Sequence, residues 1–215
     1  MPGRSLGLAL LATLLALGTA ACGRDDGIEE SRIIGDSLTV YSSLPLQGPL
    51  APVSRDVVRA EKLALREAQG RAGDFNVNYV SLDSSDPETG GWDPARVAAN
   101  ARRAVQTPNT IAFLGELEPG ASAISVPIIN EAGVLQVSPR DTFAGLTEPG
   151  APGEPERYYP SGVVNFTRVV PPADLEAQLL VDAMRRRNVE QLVLAHDDRP
   201  AGSDLADRVR RLSER

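Results

Sequence analysis

Short apolar runs and longer segments with helical spacing alternate along much of the chain. Four runs that are apolar throughout, or apolar at alternate positions, predict strands over 37–44, 75–82, 111–114 and 134–137. Three segments between them carry apolar residues at intervals of three and four, which predicts amphipathic helices. The pattern therefore predicts strands and helices in strict alternation.

Each expected helix has its own start or stop signal. The first covers 52–69 and is closed by Gly70, the second starts at Asp93-Pro94, and the third follows the Pro119-Gly120 turn. We expect the apolar residues of each helix to face inward. They are Val53, Val57, Ala60, Leu63, Ala64 and Ala68 in the first helix, Val97, Ala98, Ala101, Ala104 and Val105 in the second, and Ile124, Ile128 and Ile129 in the third.

This β-α-β-α-β-α-β order predicts an α/β fold, a parallel sheet covered by helices in three layers. Because strand-helix-strand connections are right-handed and the strands parallel, the segments 115–120 and 138–142 should emerge at the same edge of the sheet. Open α/β sheets bind ligands at that edge. The sequence thus predicts a ligand site there.

The rest of the chain predicts a second α/β unit that is only begun. Four prolines and no apolar periodicity in 148–161 indicate a long surface loop. An extended run over 163–170 follows, and then a helix over 173–187, a strand over 192–195 and a helix from Gly202 onward. We therefore expect a first lobe over 38–161 and an incomplete second lobe over 162–215.

The first residues predict export. Arg4 is the only charge before Cys22, and an apolar run over 6–17 is followed by small residues. The arrangement resembles a bacterial lipoprotein signal, with Thr19 departing from the usual leucine. The resemblance implies a signal peptide over 1–21, lipidation of Cys22 and a flexible tether over 22–37, and so a protein anchored to the outer face of the cell membrane. The alternative is an ordinary secretory signal.

Charge and composition exclude other classes. The 215 residues are 42% hydrophobic, enough for a core, and carry a formal charge of −7. Residues 1–21 contain one arginine and no acid, so the remainder has 21 basic and 29 acidic residues, a charge of −8. This balance argues against nucleic acid as a partner. One cysteine allows no internal disulfide, and the sequence shows no metal-ligand spacing, phosphate loop or dinucleotide fingerprint, so we expect no cofactor and no metal.

Four stretches together resemble one family, the type I periplasmic binding proteins for leucine, isoleucine and valine. They are Pro45-Leu-Gln-Gly-Pro49, Asp83-Ser-Ser-Asp-Pro87, Gly133-Val-Leu-Gln-Val-Ser-Pro139 leading into Thr142, and Phe166-Thr-Arg-Val-Val-Pro-Pro172. The resemblance covers about 38–215. It implies a monomeric, non-enzymatic protein whose two lobes close on a small ligand and deliver it to an ABC transporter permease, or a ligand-sensing subunit of the same fold.

The resemblance also implies which residues contact a branched-chain amino acid, an amide or a related solute. Thr142 matches the threonine expected after the fourth strand, whereas Glu118 to Gly120 stand where a serine is expected and Ser122 follows two residues later. The expected ligand-binding residues are Gln47, Glu118, Gly120, Ser122, Ser138, Arg140, Asp141 and Thr142.

Charges near the third helix bear on the ligand. Its free N–H groups would suit a carboxylate, but Glu116 and Glu118 beside them would repel one and favour a cationic or amide-like group. The alternative is that both glutamates point to solvent. Arg140 could hold an anion or pair with Asp141.

A rival motif is Gly35-Asp-Ser-Leu38, which resembles the nucleophile block of the GDSL esterases and would make Ser37 a nucleophile. The only histidine, His196, lacks the aspartate that those enzymes place three residues before it, since Val193 stands there. The chain also stops before the returning strand that the binding-protein family implies. We expect either a longer natural chain or a remnant that folds incompletely.

Overall fold

A six-stranded sheet forms the centre of the computed structural model, which describes residues 33–197 and 200–214. The order of the strands across the sheet is β2-β3-β1-β4-β5-β6. The strands are β1 (Ser37–Leu44), β2 (Arg71–Ala72), β3 (Phe75–Asp83), β4 (Thr110–Leu114), β5 (Leu135–Ser138) and β6 (Phe166–Arg168). The helices are α1 (Ala51–Glu67), α2 (Pro94–Gln106), α3 (Ser122–Glu131), α4 (Ala173–Arg186) and α5 (Pro200–Ser213).

The sheet is parallel except at one edge. β1 pairs in parallel with β3 and β4, β4 with β5, and β5 with β6, while the two-residue β2 runs antiparallel to β3. The α/β fold with a mostly parallel sheet is thereby confirmed. The carboxyl ends of β1, β3, β4 and β5 meet at one edge, as expected.

The core between the sheet and α2 and α3 joins large residues to small ones. Phe113 of β4 is fully buried and clusters with Tyr41 of β1, with Ile129 of α3, and with Ala101 and Ala104 of α2. Alanines on the inner face of α2 let its backbone approach the sheet closely. The helix starts as expected, because Asp93 accepts hydrogen bonds from two free N–H groups of the first turn.

The inward face of α1 differs from the expectation. Val53 and Leu63 are 36% and 47% exposed, whereas Ser54 is fully buried. Glu61, expected on the outer face, receives a 2.5 Å hydrogen bond from the hydroxyl of Tyr79 on β3. The helix is therefore rotated so that a polar contact faces the sheet, and most of the expected apolar stripe is exposed while Val57 is half-buried.

The expectation of a surface loop over 148–161 is wrong in its second half. Tyr158 and Tyr159 are 6% and 5% exposed and form a second core cluster with Phe143 and Leu146. The Tyr159 hydroxyl donates a 2.6 Å hydrogen bond to the Leu146 carbonyl. A short 3-10 helix, Glu156–Tyr158, brings the two tyrosines inward. Because this helix has only three residues, it leaves no periodic pattern of apolar residues in the sequence.

The extended run after this segment becomes β6 and joins the same sheet. The first-lobe sheet thus continues past residue 161, and the division into 38–161 and 162–215 stays a prediction. The expected strand over 192–195 is wrong: these residues are irregular, and Val193 is 91% exposed. A strand needs a neighbouring strand to pair with, and instead Leu194 packs at the α4–α5 contact around Val181 and Val209.

The expected signal peptide, Cys22 and most of the tether lie outside the described residues. Within 33–197 and 200–214, no helix has the length and apolarity needed to cross a membrane.

Candidate functional site

The candidate site is the edge of the sheet where the loops after β4 and β5 meet. The N–H of Gly115 donates a 2.9 Å hydrogen bond to the carbonyl of Val137, which carries the pairing of the two strands into the loops. Gly115 has a φ of +151°, and a Cβ there would lie 2.6 Å from the carbonyl oxygen of Ser43 on β1. Glycine is required because the β1 and β4 backbones come this close.

Ser138 ties the two loops together. Its buried hydroxyl donates to the Glu116 carbonyl at 2.7 Å and accepts from the N–H groups of Asp141 at 2.7 Å and Arg140 at 3.2 Å. Serine is suited to this position because one hydroxyl can donate once and accept twice. Ser138 was expected as a ligand contact, and the described contacts of its hydroxyl are all within the protein.

The side chain of Asp141, from the loop after β5, lies at the N-terminus of α3. Its two carboxylate oxygens accept from the N–H of Ser122 at 3.2 Å and of Phe143 at 2.9 Å. Burial raises the pKa of Asp141, while the hydrogen bonds from Ser122 and Phe143 and the charge of Arg168 work in the opposite direction. The helix N-terminus thus already faces a carboxyl group of the protein itself.

Arg140 pairs with Glu118 and so links the two loops a second time. Its Nη2 lies 3.5 Å from Oε1 of Glu118, with side chains 48% and 18% exposed. The sequence had suggested that Arg140 holds an anion or pairs with Asp141, and Glu118 was not expected as its partner. Since an exposed ion pair is weak, the Arg140 guanidinium keeps access to solvent and to a bound solute.

Glu116 is the unusual group at this edge. It is 1% exposed, and neither carboxylate oxygen has a hydrogen-bond partner among the described residues. Burial raises the pKa of Glu116 to about 8; the hydroxyls of Ser43 and Ser84 work against this shift and the charge of Asp141 adds to it. The alternative that both glutamates point to solvent is therefore wrong.

Gln47 lies on a different part of the edge, between the ends of β1 and β3. Its Nε2 donates to Asp83 at 2.5 Å and its N–H to Ser85 at 2.8 Å. Burial tends to raise the pKa of Asp83, but hydrogen bonds from Ser85, Gln47 and Leu46 outweigh it and lower the pKa to about 2. Gln47 is thus held in place as part of the turn between the two strands.

Gly120 and Thr142 complete the expected set. Gly120 is buried with a φ of +90°, a conformation that disfavours side chains. Thr142 is half-buried, its carbonyl accepts a 2.9 Å hydrogen bond from the N–H of Ala173, and it borders an apolar groove with Pro172 and Leu179. Of the expected residues, the structure joins Ser122, Ser138, Arg140 and Asp141 by hydrogen bonds and adds Glu118 through its ion pair with Arg140.

Sequence reasoning missed two residues that organise the edge. Gln136 is fully buried within β5, and its Nε2 donates to the Gly115 carbonyl at 3.0 Å and to the Ser125 hydroxyl at 2.8 Å. Arg168 of β6 donates to the carbonyls of Asp141 and Phe143. A glutamine between Leu135 and Val137 is the signal that could have pointed to the first, because buried polar groups need partners.

The esterase residues are not arranged for catalysis. Ser37 is the first residue of β1, at the opposite end of that strand from the candidate site, and its hydroxyl donates to Asp36 at 3.3 Å. Nδ1 of His196 lies 2.6 Å from the carbonyl oxygen of Asp197. Across the described ranges, no group of three or more histidine, cysteine, aspartate or glutamate side chains is placed to hold a metal ion.

Comparison with known proteins gives matches to solved structures alone: no family model and no curated protein matches the chain. An ABC-transporter solute-binding protein from R. palustris, solved with 4-hydroxybenzoate, is 16% identical with a TM-score of 0.67, covering 83% of this chain and 44% of that one. The leucine-binding protein LivK from Thermotoga maritima is 20% identical with a TM-score of 0.63, covering 82% and 45%.

A substrate-binding protein from Desulfitobacterium hafniense, solved with Leu, is 18% identical with a TM-score of 0.62 and covers 83% of this chain and 47% of that one. The chain thus spans less than half the length of each of these solved proteins. At these identities the similarity is one of fold. The described residues have the α/β fold of the first lobe of a type I periplasmic binding protein, with its mostly parallel sheet of six strands.

Proposed function

We propose that the chain supplies one wall of the ligand cleft of an exported solute-binding protein, which delivers a small polar solute to an ABC transporter without chemical conversion. The observation that carries the proposal is the joined pair of loops at the carboxyl edge of a sheet with the first-lobe fold. Ligands of open α/β sheets lie at such an edge. The wall is defined by Glu118, Gly120, Ser122, Ser138, Arg140, Asp141 and Thr142.

The charges of the wall favour a neutral or zwitterionic solute over a simple anion. Asp141 already accepts from the first N–H of α3, so a ligand carboxylate would meet a carboxyl group there. Glu118 and Arg140 offer one charge of each sign, 3.5 Å apart and partly exposed. We therefore infer a branched-chain amino acid, an amide or a related compound as solute.

Solutes of two matched structures give a starting panel. One match was solved with Leu and another with 4-hydroxybenzoate. The wall of this chain is more suited to the first, because leucine has an ammonium group for Glu118 as well as a carboxylate for Arg140, whereas 4-hydroxybenzoate has no cationic group. The groove beside Thr142, lined by Pro172, Leu175 and Leu179, would take an apolar side chain.

The remaining parts of the proposal follow from the sequence. Lipidation of Cys22 would hold the protein at the outer face of the membrane. The resemblance to binding proteins implies a permease and a small solute as partners and a monomeric chain, and the acidic charge argues against nucleic acid. A ligand-sensing subunit of the same fold would use the same wall. Co-purification with a permease rather than with a signalling receptor separates the two.

The test is a thermal-shift screen of the purified chain against leucine, isoleucine, valine, their amides, polyamines and 4-hydroxybenzoate. We expect a neutral or zwitterionic solute to raise the unfolding temperature, since a ligand that binds the folded state stabilises it. Replacing Arg140 with Gln should abolish the shift, while replacing Arg59, an exposed arginine of α1, should leave it unchanged. Absence of any shift, together with ester hydrolysis that disappears in Ser37→Ala, would reject the proposal.

A further inference from the structure

The carboxyl group of Glu116 is sealed inside the wall without a partner of its own. Both of its oxygens, and the hydroxyl of the neighbouring Ser84, lack hydrogen-bond partners among the described residues. Ser43, the other hydroxyl facing Glu116, accepts a 3.0 Å hydrogen bond from Asn100 of α2 and has one proton to donate. An ionised carboxylate in such a place is unfavourable, because burial removes its hydration and the hydroxyls of Ser43 and Ser84 replace only part of it.

The charged groups around Glu116 make ionisation less favourable still. Asp141, from the loop after β5, is the charge that acts on Glu116, and it has the same sign. Arg168 of β6 interacts with Asp141. The carboxylate of Asp83, at the end of β3, accepts hydrogen bonds from Leu46, Gln47 and Ser85. The carboxylate of Glu61, on α1, accepts one from Tyr79. Ser43 of β1 and Asn100 of α2 are uncharged. The surroundings therefore favour the protonated form.

The main chain of the same residue holds the wall together. The Glu116 N–H donates to the Ser122 hydroxyl at 3.3 Å, and its carbonyl accepts from Ser138 at 2.7 Å. Ser138 in turn holds the N–H groups of Arg140 and Asp141. Any movement that carries the Glu116 side chain toward water would pull on both loops.

We propose that Glu116 is a positioning residue: its uncharged carboxyl keeps the loops after β4 and β5 in the geometry of the wall, and loss of its proton loosens them. An ionised Glu116 side chain gains hydration by moving out of its buried position or by admitting water to it. Either change strains the hydrogen bonds that the hydroxyls of Ser122 and Ser138 make with the main chain of Glu116. The wall is then a proton-sensitive surface. The expected weakening of solute binding rests on the proposed function, but the effect on stability does not.

The direction of the pH effect follows from the raised pKa of Glu116. The folded state holds the Glu116 proton up to a pKa of about 8, against an ordinary value of 4.5. Between these values the folded state binds the proton more tightly than the unfolded chain. The stability is therefore complete below about pH 4.5 and is lost as the pH rises toward and through 8.

The experiment compares the full chain with its Glu116→Gln variant by urea unfolding between pH 6 and 9. Glutamine keeps the size of the side chain and cannot ionise. We expect the midpoint of the wild-type chain to fall from pH 6 to about 8 and to level off above it, and that of the variant to stay within about 0.2 M throughout. The control is Glu131→Gln, an exposed glutamate at the end of α3, which should keep the wild-type slope.

A second measurement covers the case in which Glu116→Gln does not fold. The ¹³C chemical shift of the Glu116 carboxyl in the wild-type chain should titrate well above pH 6. A titration near pH 4.5, or a variant whose midpoint falls with the wild-type slope, would overturn the proposal. With a solute found in the screen, wild-type affinity should fall up to about tenfold per pH unit above the Glu116 pKa, and that of Glu116→Gln should not. Failure of this last readout alone would reject the link to binding.

Discussion

Ser138 and Glu116 are 22 residues apart in sequence and are joined by a 2.7 Å hydrogen bond from a buried hydroxyl to a main-chain carbonyl. This bond makes two separate loops one wall. The same hydroxyl accepts from Arg140 and Asp141, so the bonds of one serine set the path of both loops. The wall therefore depends on a residue whose side chain is fully buried and serves the protein itself.

Replacing Ser138 with Ala should destabilise the chain by about 2 kcal/mol, because three main-chain groups lose their partner and two of these bonds are buried. Urea unfolding measures the change. Ser213, whose exposed hydroxyl bonds the Arg210 carbonyl at the end of α5, is the matched control; its alanine variant should lie within about 0.5 kcal/mol of the wild type. An equal effect of both substitutions would contradict the organising role of Ser138.

Asp83→Asn should weaken the chain near neutral pH and lose this effect in acid. The pKa of Asp83 is lowered to about 2 from 3.8, so the folded state binds this proton less tightly than the unfolded chain. The stabilisation is complete above pH 3.8 and is lost as the pH falls through about 2. Because Asp83 is partly open to solvent, which screens its interactions, we expect a difference from wild type of about 1 kcal/mol at pH 6, shrinking toward pH 2.

Urea midpoints of both proteins at pH 6, 4 and 2.5 check this prediction. Asp56→Asn is the control. Among the described residues, that exposed aspartate forms an ion pair only with Arg59, one helical turn further along α1. A constant difference between Asp83→Asn and wild type across this range would show that the loss is one of packing and not of charge.

Apart from the two-residue β2 and the strand expected over 192–195, the sequence allowed the order of strands and helices and the edge with the candidate site to be predicted, because periodicity and turn residues are local signals. It did not allow the rotation of α1 to be predicted, since Glu61 faces inward only because Tyr79 lies opposite, 18 residues away. The environment of Glu116 was also hidden. The sequence alone cannot distinguish the surroundings of two glutamates separated by one residue. Only the fold shows that Glu116 is buried and that Glu118 lies beside Arg140.

The buried tyrosines of the proline-rich segment allow another prediction. Tyr159→Phe removes the hydroxyl that donates to the Leu146 carbonyl at 2.6 Å and leaves the ring in place. The loss should be about 1 kcal/mol, the usual value for one buried hydrogen bond, and limited proteolysis within 148–161 should become faster. Glu156→Gln, an exposed change in the same segment, is the control. A segment that is cleaved rapidly in the wild type would contradict its place in the core.

The rotation of α1 predicts a contrast between two apolar helix residues. Leu63 is 47% exposed on α1, whereas Ile129 is fully buried on α3 against Phe113. Leu63→Ser should change the free energy of unfolding by less than about 1 kcal/mol, because the side chain already meets water. Ile129→Ala should cost about 3 kcal/mol through lost burial and a cavity. Urea unfolding of the two variants measures both values on the same scale. A loss at Leu63 as large as that at Ile129 would mean that the stripe on α1 is covered in solution, and would restore the inward face that the spacing of Val53, Val57 and Leu63 predicts.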